Sequence, residues 1–213
     1  MHETNTEREI AIDQITTALQ QRIPVDDSAF DRIYPDHVQR LSRLHFTPVS
    51  VALRAAGWLA PEPGMRVLDV GAGAGKLCMV AALSHAARWH GVERDPSLVA
   101  VARAAARELA VAHCTSFAVG DLFAIDWRAF DSLYFYNPFE AAQFAGGGRS
   151  DREHGGAVFA RCVAAVQERL AELAAGTRVV AFHGFGGDVP SGFARAEDDG
   201  DLALWIKARA RAM

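Results

Sequence analysis

Residues 66–76 read Arg66-Val67-Leu68-Asp69-Val70-Gly71-Ala72-Gly73-Ala74-Gly75-Lys76. An apolar run ends in glycines at three alternate positions, and an Ala-rich helical stretch from about Gly75 to Ala87 follows. That is the pattern of a strand entering a helix through a turn whose backbone comes close to a ligand. Three ligand classes use such a turn. A Walker A loop requires glycine at position 70 and Ser or Thr at position 77, but these are Val70 and Leu77. A dinucleotide GxGxxG turn wants a small residue at position 76, which is Lys76. What remains is GxGxG, with glycines at 71, 73 and 75.

Downstream the pattern alternates. Strands are expected at Trp89–Glu93, Thr115–Val119, Ser132–Tyr136 and Arg178–Phe182. Between the first two of these, Asp95-Pro96 offers an N-cap carboxylate and a first-turn proline for a helix reaching about Leu109. A helix is expected from about Ala157 to Ala175, after a glycine-rich polar loop spanning Gly146 to Asp151. The tail reads as a hairpin, Gly192–Ala196 and Leu202–Lys207 around Asp198-Asp199-Gly200, and predicts an antiparallel edge. Strand–helix alternation with near-continuous apolar strands predicts a doubly wound α/β sheet that is mostly parallel. Upstream, helical stretches run from Thr6 to Gln21, from Phe30 to Leu44 with a break at Pro35, and from Pro48 to Leu59. Residues 1–60 thus form a helical extension, a cap over the strand edge, and residues 61–213 the main domain.

Composition narrows the function. The 213 residues carry 22 basic and 26 acidic side chains, a net charge of −4, which disfavours nucleic acid as partner. Cys78, Cys114 and Cys162 are scattered and form no CxxC, as expected of reduced thiols in a cytoplasmic protein. The N-terminus is too acidic and polar for a signal peptide, and the longest apolar runs, such as Leu77–Leu83, are far short of the roughly 18 residues of a membrane span. The histidines show neither HxxxH nor HxH spacing, so no metal site is expected.

Two carboxylates accompany the glycine turn. Glu93 ends the second strand, one βα unit on, where it can accept from both ribose hydroxyls of an adenosine. Asp121 follows the third strand, placed to accept from an adenine amino group, with Leu122 and Phe123 to pack on the ring. The bland alternative for each acid is a helix cap, a role that Asp95 already fills after Glu93. Asn137-Pro138-Phe139-Glu140 follows the fourth strand at the same edge.

In this order the stretches "VLDVGAGAGK", "GVERD", "VGDL" and "YFYNPFE" resemble the class I S-adenosylmethionine-dependent methyltransferases, and the likeness runs from about Phe46 to Gly186. It implies a seven-stranded sheet with an antiparallel last strand, and S-adenosylmethionine as cofactor. Asp69, Gly71, Ala72, Gly73 and Gly75 would contact its methionine part, Glu93 its ribose and Asp121 its adenine. Arg94, Leu122, Asn137 and Pro138 complete the implied cofactor-binding set. Asn137 is the catalytic candidate, and the acceptor would be a small molecule or a protein, with an amine favoured. The leading helices are loosely similar to those of the non-SET protein-lysine methyltransferases. Amine methyltransferases often carry Asn-Pro-Pro-aromatic after this strand; here Phe139 and Glu140 depart from it. Tyr136 or Phe139 would exclude water, Glu140 would attract a cation, and His183 is a conceivable base. Two other functions fit the same turn: a non-catalytic cofactor-binding domain, and a nicotinamide oxidoreductase, against which Lys76 and Asp121 argue.

Overall fold

Val67, Leu68, Asp69 and Val70 are all buried, and they make β1 (Arg66–Val70), the strand around which the sheet is built. The computed structural model describes residues 5–139 and 149–209. Four helices precede β1: α1 (Asn5–Gln20), α2 (Asp27–Phe30), α3 (Asp36–His45) and α4 (Val49–Leu59). After it come α5 (Lys76–Ser84), β2 (Arg88–Glu93), α6 (Pro96–Glu108), β3 (Thr115–Val119) and β4 (Ser132–Tyr136). The chain continues with α7 (Arg149–Ala171), β5 (Arg178–Phe182), β6 (Phe193–Asp199) and β7 (Leu202–Lys207). The strand order is β3-β2-β1-β4-β5-β7-β6, with β1 to β5 parallel and β7 antiparallel to both of its neighbours.

The seven-stranded sheet, its antiparallel last strand and the antiparallel hairpin at one edge agree with the expectation. The edge strand is β6, and the antiparallel strand β7 lies one place inward. Burial explains the order. Leu202, Ala203 and Leu204 of β7 are covered, whereas β6 carries exposed Arg195, Glu197, Asp198 and Asp199, charges that protect a free edge from further pairing.

Alternation along the strands feeds two cores. Val67, Tyr134, Val180 and Phe182 face the side covered by α1 to α6, while Leu68, Leu133, Phe135 and Val179 face Trp127, Val166 and Leu170 on the other. The helix expected from Ala157 begins earlier, at Arg149, and includes Gly155 and Gly156. Packing of Val166 and Leu170 against the sheet outweighs the weak helix propensity of those glycines. Among the described residues no helix is long and apolar enough to cross a membrane. Glu140 and Gly146–Gly148 lie outside the described residues.

The N-terminal helices are part of the main core. Ile15, Leu19, Phe30, Val38, Val49 and Leu59 pack into the same cluster as Val67, Leu77 and Trp89. The expected break at Pro35 is present: α2 runs into a short 3-10 turn, Asp31–Ile33, and Pro35 starts α3.

Candidate active site

The order of the sheet reverses between β1 and β4, and an open α/β sheet binds ligands outside the carboxyl ends of such a pair. A cleft of about 480 Å³ lies there, lined by Leu41, His45, Phe46, Gly71, Gly73, Glu93, Leu98, Tyr136, Asn137 and Pro138. Its floor is the glycine turn, with φ of +78° at Gly71, +56° at Gly73 and +77° at Gly75. A side chain at Gly73 would put Cβ 2.9 Å from the Phe46 ring, and at Gly75 it would put Cβ 2.4 Å from Phe117. The turn needs glycine for backbone conformation and for close packing alike. Gly71 and Ala72 donate their N–H groups to the Val92 carbonyl, each at 3.0 Å, which ties the turn to β2.

Glu93 completes that tie. Its Oε2 accepts from Gly73 N–H at 3.0 Å, and its Oε1 from the N–H groups of Arg94 at 2.7 Å and Asp95 at 2.9 Å. Asp95 itself caps α6. Arg94 is exposed and enters the site through its backbone alone.

Asp69 lies deeper, on a cavity of about 30 Å³ that Gly71, Ala72, Tyr134 and Tyr136 also line. That is the space of one or two water-sized groups. Burial pushes the Asp69 carboxyl up to about 7, although a hydrogen bond from Cys78 Sγ at 3.6 Å opposes the shift. The neighbouring charge of Glu93 adds to the rise. Tyr134 OH and Thr47 Oγ1 pair at 2.9 Å in the same wall.

At the end of β4, Asn137 has φ of +36°, and its N–H donates to the Gly184 carbonyl at 3.0 Å. A non-glycine residue held at positive φ is uncommon, and here it lies in the cleft wall. The aromatic ring beside it is that of Tyr136, on the strand side of Asn137. Phe139 points away from the cleft: it is buried in the opposite core, stacked on Phe123 with centroids 6.3 Å apart. At the position of the motif's second proline, Phe139 thus lies in the core, and the ring that lines the cleft is Tyr136. His183, with φ of +54°, leans on Phe182 and Tyr136 and faces Asp201 Oδ1 at 3.4 Å, but does not line the cleft.

Asp121 and Leu122 stand apart from the cleft lining. The Asp121 carboxylate accepts from Phe123 N–H at 2.8 Å and caps a short 3-10 turn. Gly120 N–H donates to the Glu93 carbonyl at 2.9 Å, so this corner is held one strand from Glu93.

Lys76, which in the sequence only excludes other glycine motifs, has a structural place of its own. In the fold it is buried, and its Nζ reaches Asp27 Oδ1 at 2.6 Å and Asp31 Oδ1 at 2.8 Å. The signal was present as a lysine in an otherwise apolar helix together with the acid-rich stretch Asp26 to Asp31.

A family profile described as a methyltransferase domain matches residues 61–175, more than half of the chain. The chain belongs to that methyltransferase family. The enzyme's sheet is also that of solved methyltransferases. An RNA methyltransferase from Salinibacter ruber in complex with S-adenosyl-L-homocysteine is 26% identical, with 78% of this chain and 95% of that chain covered and a TM-score of 0.53. TrmN from Thermus thermophilus is 20% identical over 84% of this chain and 53% of that chain, with a TM-score of 0.58. A SAM-dependent O-methyltransferase from Thermotoga maritima is 13% identical over 84% of this chain and 72% of that chain, with a TM-score of 0.52. These last two share the fold. No curated protein matches the methyltransferase in sequence.

Proposed function

We propose that this methyltransferase moves the methyl group of S-adenosylmethionine to an amine nitrogen presented at Asn137. The observation that carries the reading is that the glycine turn, Glu93 and Asn137 line one cleft at the switch point between β1 and β4.

The donors and acceptors present suit the cofactor. Exposed backbone at Gly71 and the open face of the glycine turn accommodate its amino-acid part, beside the buried acid Asp69. Glu93, already held by three N–H groups, retains about one of its four lone-pair sites, on Oε2, for the ribose. Beyond the cleft lining, at the corner that Gly120 N–H ties to Glu93, Asp121 is assigned to the adenine amino group and Leu122 to the face of the ring. Leu41 and His45 of α3, with Phe46 just beyond it, form the opposite wall, so this part of the N-terminal segment acts as a cap.

When bound, the cofactor's sulfonium supplies an electrophilic methyl and a neutral leaving group. The chain's own contribution is orientation, which can be worth about 7–11 kcal/mol. The Asn137 side-chain oxygen accepts from the acceptor N–H and aims the nitrogen lone pair along the line of displacement. Tyr136 and Phe46 keep water out. The nitrogen must be unprotonated when it attacks, so turnover rises with pH through the acceptor's own titration.

A second reading, methylation of an RNA base nitrogen, draws on the similarity to the Salinibacter ruber enzyme. One experiment separates the two. A lysate lacking the enzyme is incubated with it and with tritiated S-adenosylmethionine, then divided into protein, RNA and small molecules. Label in protein lysine or in a small amine supports the first reading, and label in RNA the second. No incorporation above an Asn137→Ala control counts against both.

A further inference from the structure

Lys76 is the first residue of α5, where the helix dipole favours anions over cations. It is nevertheless 2% exposed, with its ammonium 5.6 Å from the centre of the Phe30 ring. Three partners from three separate pieces of the N-terminal segment converge on it. Asp27 Oδ1 belongs to α2, Asp31 Oδ1 to the 3-10 turn, and Ser42 Oγ, at 3.2 Å, to α3. Ser42 in turn donates to Asp31 Oδ1 at 2.8 Å, and Asp27 Oδ1 also accepts from Val49 N–H, which opens α4. One ammonium therefore ties three N-terminal elements directly, and α4 through Asp27, to the residue that follows the glycine turn.

This cluster is a poor way to obtain stability. Two acids face one cation, and Asp31 Oδ2 is buried with no hydrogen-bond partner. Apolar side chains of similar volume usually hold such elements at least as firmly. What the ionic cluster adds is direction, since it accepts one arrangement of α2, α3 and α5. The consequence appears at the cleft. The Phe46 ring lies against Gly73, Tyr34 meets that ring edge-on at 6.2 Å, and Tyr34 OH donates to the Ala74 carbonyl at 3.3 Å. Leu41 and His45 extend the same wall.

We propose that Lys76 is a positioning residue for methyl transfer: its ammonium locks α3 onto the glycine turn, so that filling the cleft and seating the Leu41–Phe46 wall are one coupled step. The proposal rests on the reading of the cleft as the cofactor site. Coupling is reciprocal, so a ligand in the cleft must also quiet α3.

Two measurements test it, with S-adenosylhomocysteine as probe. On the unaltered protein, amide hydrogen exchange across residues 36–46 slows when the probe is added; unchanged exchange with the probe demonstrably bound overturns the proposal. In the combined variant Lys76→Met, Asp31→Leu, Ser42→Ala, which removes cation, orphaned acid and hydroxyl together, thermal unfolding stays within a few degrees of the parent. Its affinity for the probe by calorimetry falls about tenfold or more, and the exchange response of residues 36–46 disappears. A folded variant that binds as tightly as the parent overturns the proposal. If the unaltered protein does not bind the probe, the cleft reading itself fails, an outcome distinct from both.

Discussion

Gly73 N–H donates to the Glu93 carboxylate at 3.0 Å, so the turn after β1 and the end of β2 are joined by a side chain that also faces the cleft. Glu93 therefore has two duties that mutation can separate. Glu93→Ala removes the charged acceptor at the ribose and should weaken S-adenosylhomocysteine binding by about 1.5–3 kcal/mol in calorimetry. Glu93→Gln keeps a carbonyl oxygen for Gly73 and should lose less. Unchanged affinity in a folded Glu93→Ala variant would remove the ribose assignment.

Asp69 gives a pH signature. Its carboxyl is raised to about 7 in the fold from an ordinary value near 3.8, chiefly by burial. The folded state thus holds this proton more tightly than the unfolded chain, and stability falls as pH rises from about 4 to about 7. Asp69→Asn stays neutral and escapes that fall. Its melting temperature should exceed the parent's at pH 8, by the equivalent of about 2–4 kcal/mol, and match it near pH 4. Binding should move the other way. A cationic amino group beside Asp69 favours the ionised acid, so parental affinity for S-adenosylhomocysteine rises from pH 6 to pH 8. Asp69→Asn should bind weakly with no such rise; a variant that binds like the parent at pH 8 would exclude Asp69 from the site.

Asn137 separates binding from turnover. Asn137→Gly tolerates the φ of +36° while deleting the side-chain oxygen. It should leave cofactor affinity within about twofold and lower kcat by about 10²-fold, the scale of a lost proton-handling group. Asn137→Ala should show the same kinetic loss with an added drop in stability of about 1 kcal/mol from the left-handed backbone. If Asn137→Gly turns over at the parental rate, the acceptor is oriented elsewhere.

The sheet was legible because its signals are local. Apolar runs bounded by Gly, Pro and Asp place β1, β3, β4 and β5, and Asp95-Pro96 opens α6 where a capped helix should start. The site was legible only in part. Spacing brought Gly71, Gly73, Glu93 and Asn137 to one edge, since parallel βαβ units return every strand end to the same side. It did not reveal that Phe139 turns into the far core while Tyr136 faces the cleft, because the direction of the chain after β4 depends on the positive φ at Asn137. Nor did it reveal the partners of Lys76. Asp27 and Asp31 are far from it in sequence, and only the packing of α2 and α3 against α5 brings them together.

Gly75 tests whether the turn is a packing device as well as a binding one. It has φ of +77° and caps α5 without any side-chain hydrogen bond. A Cβ there would meet Phe117 Cε1 at 2.4 Å and Ala102 at 3.2 Å, so Gly75→Ala is strained in backbone and crowded in space at once. The expected loss is about 2–4 kcal/mol in urea unfolding, the sum of an overpacked core contact and a disfavoured dihedral. The crowding half alone is relieved by Phe117→Leu. Adding it to Gly75→Ala should therefore recover part of the loss, and the two substitutions should be non-additive, as contacting residues are. Strict additivity would mean that the backbone dihedral alone accounts for the glycine.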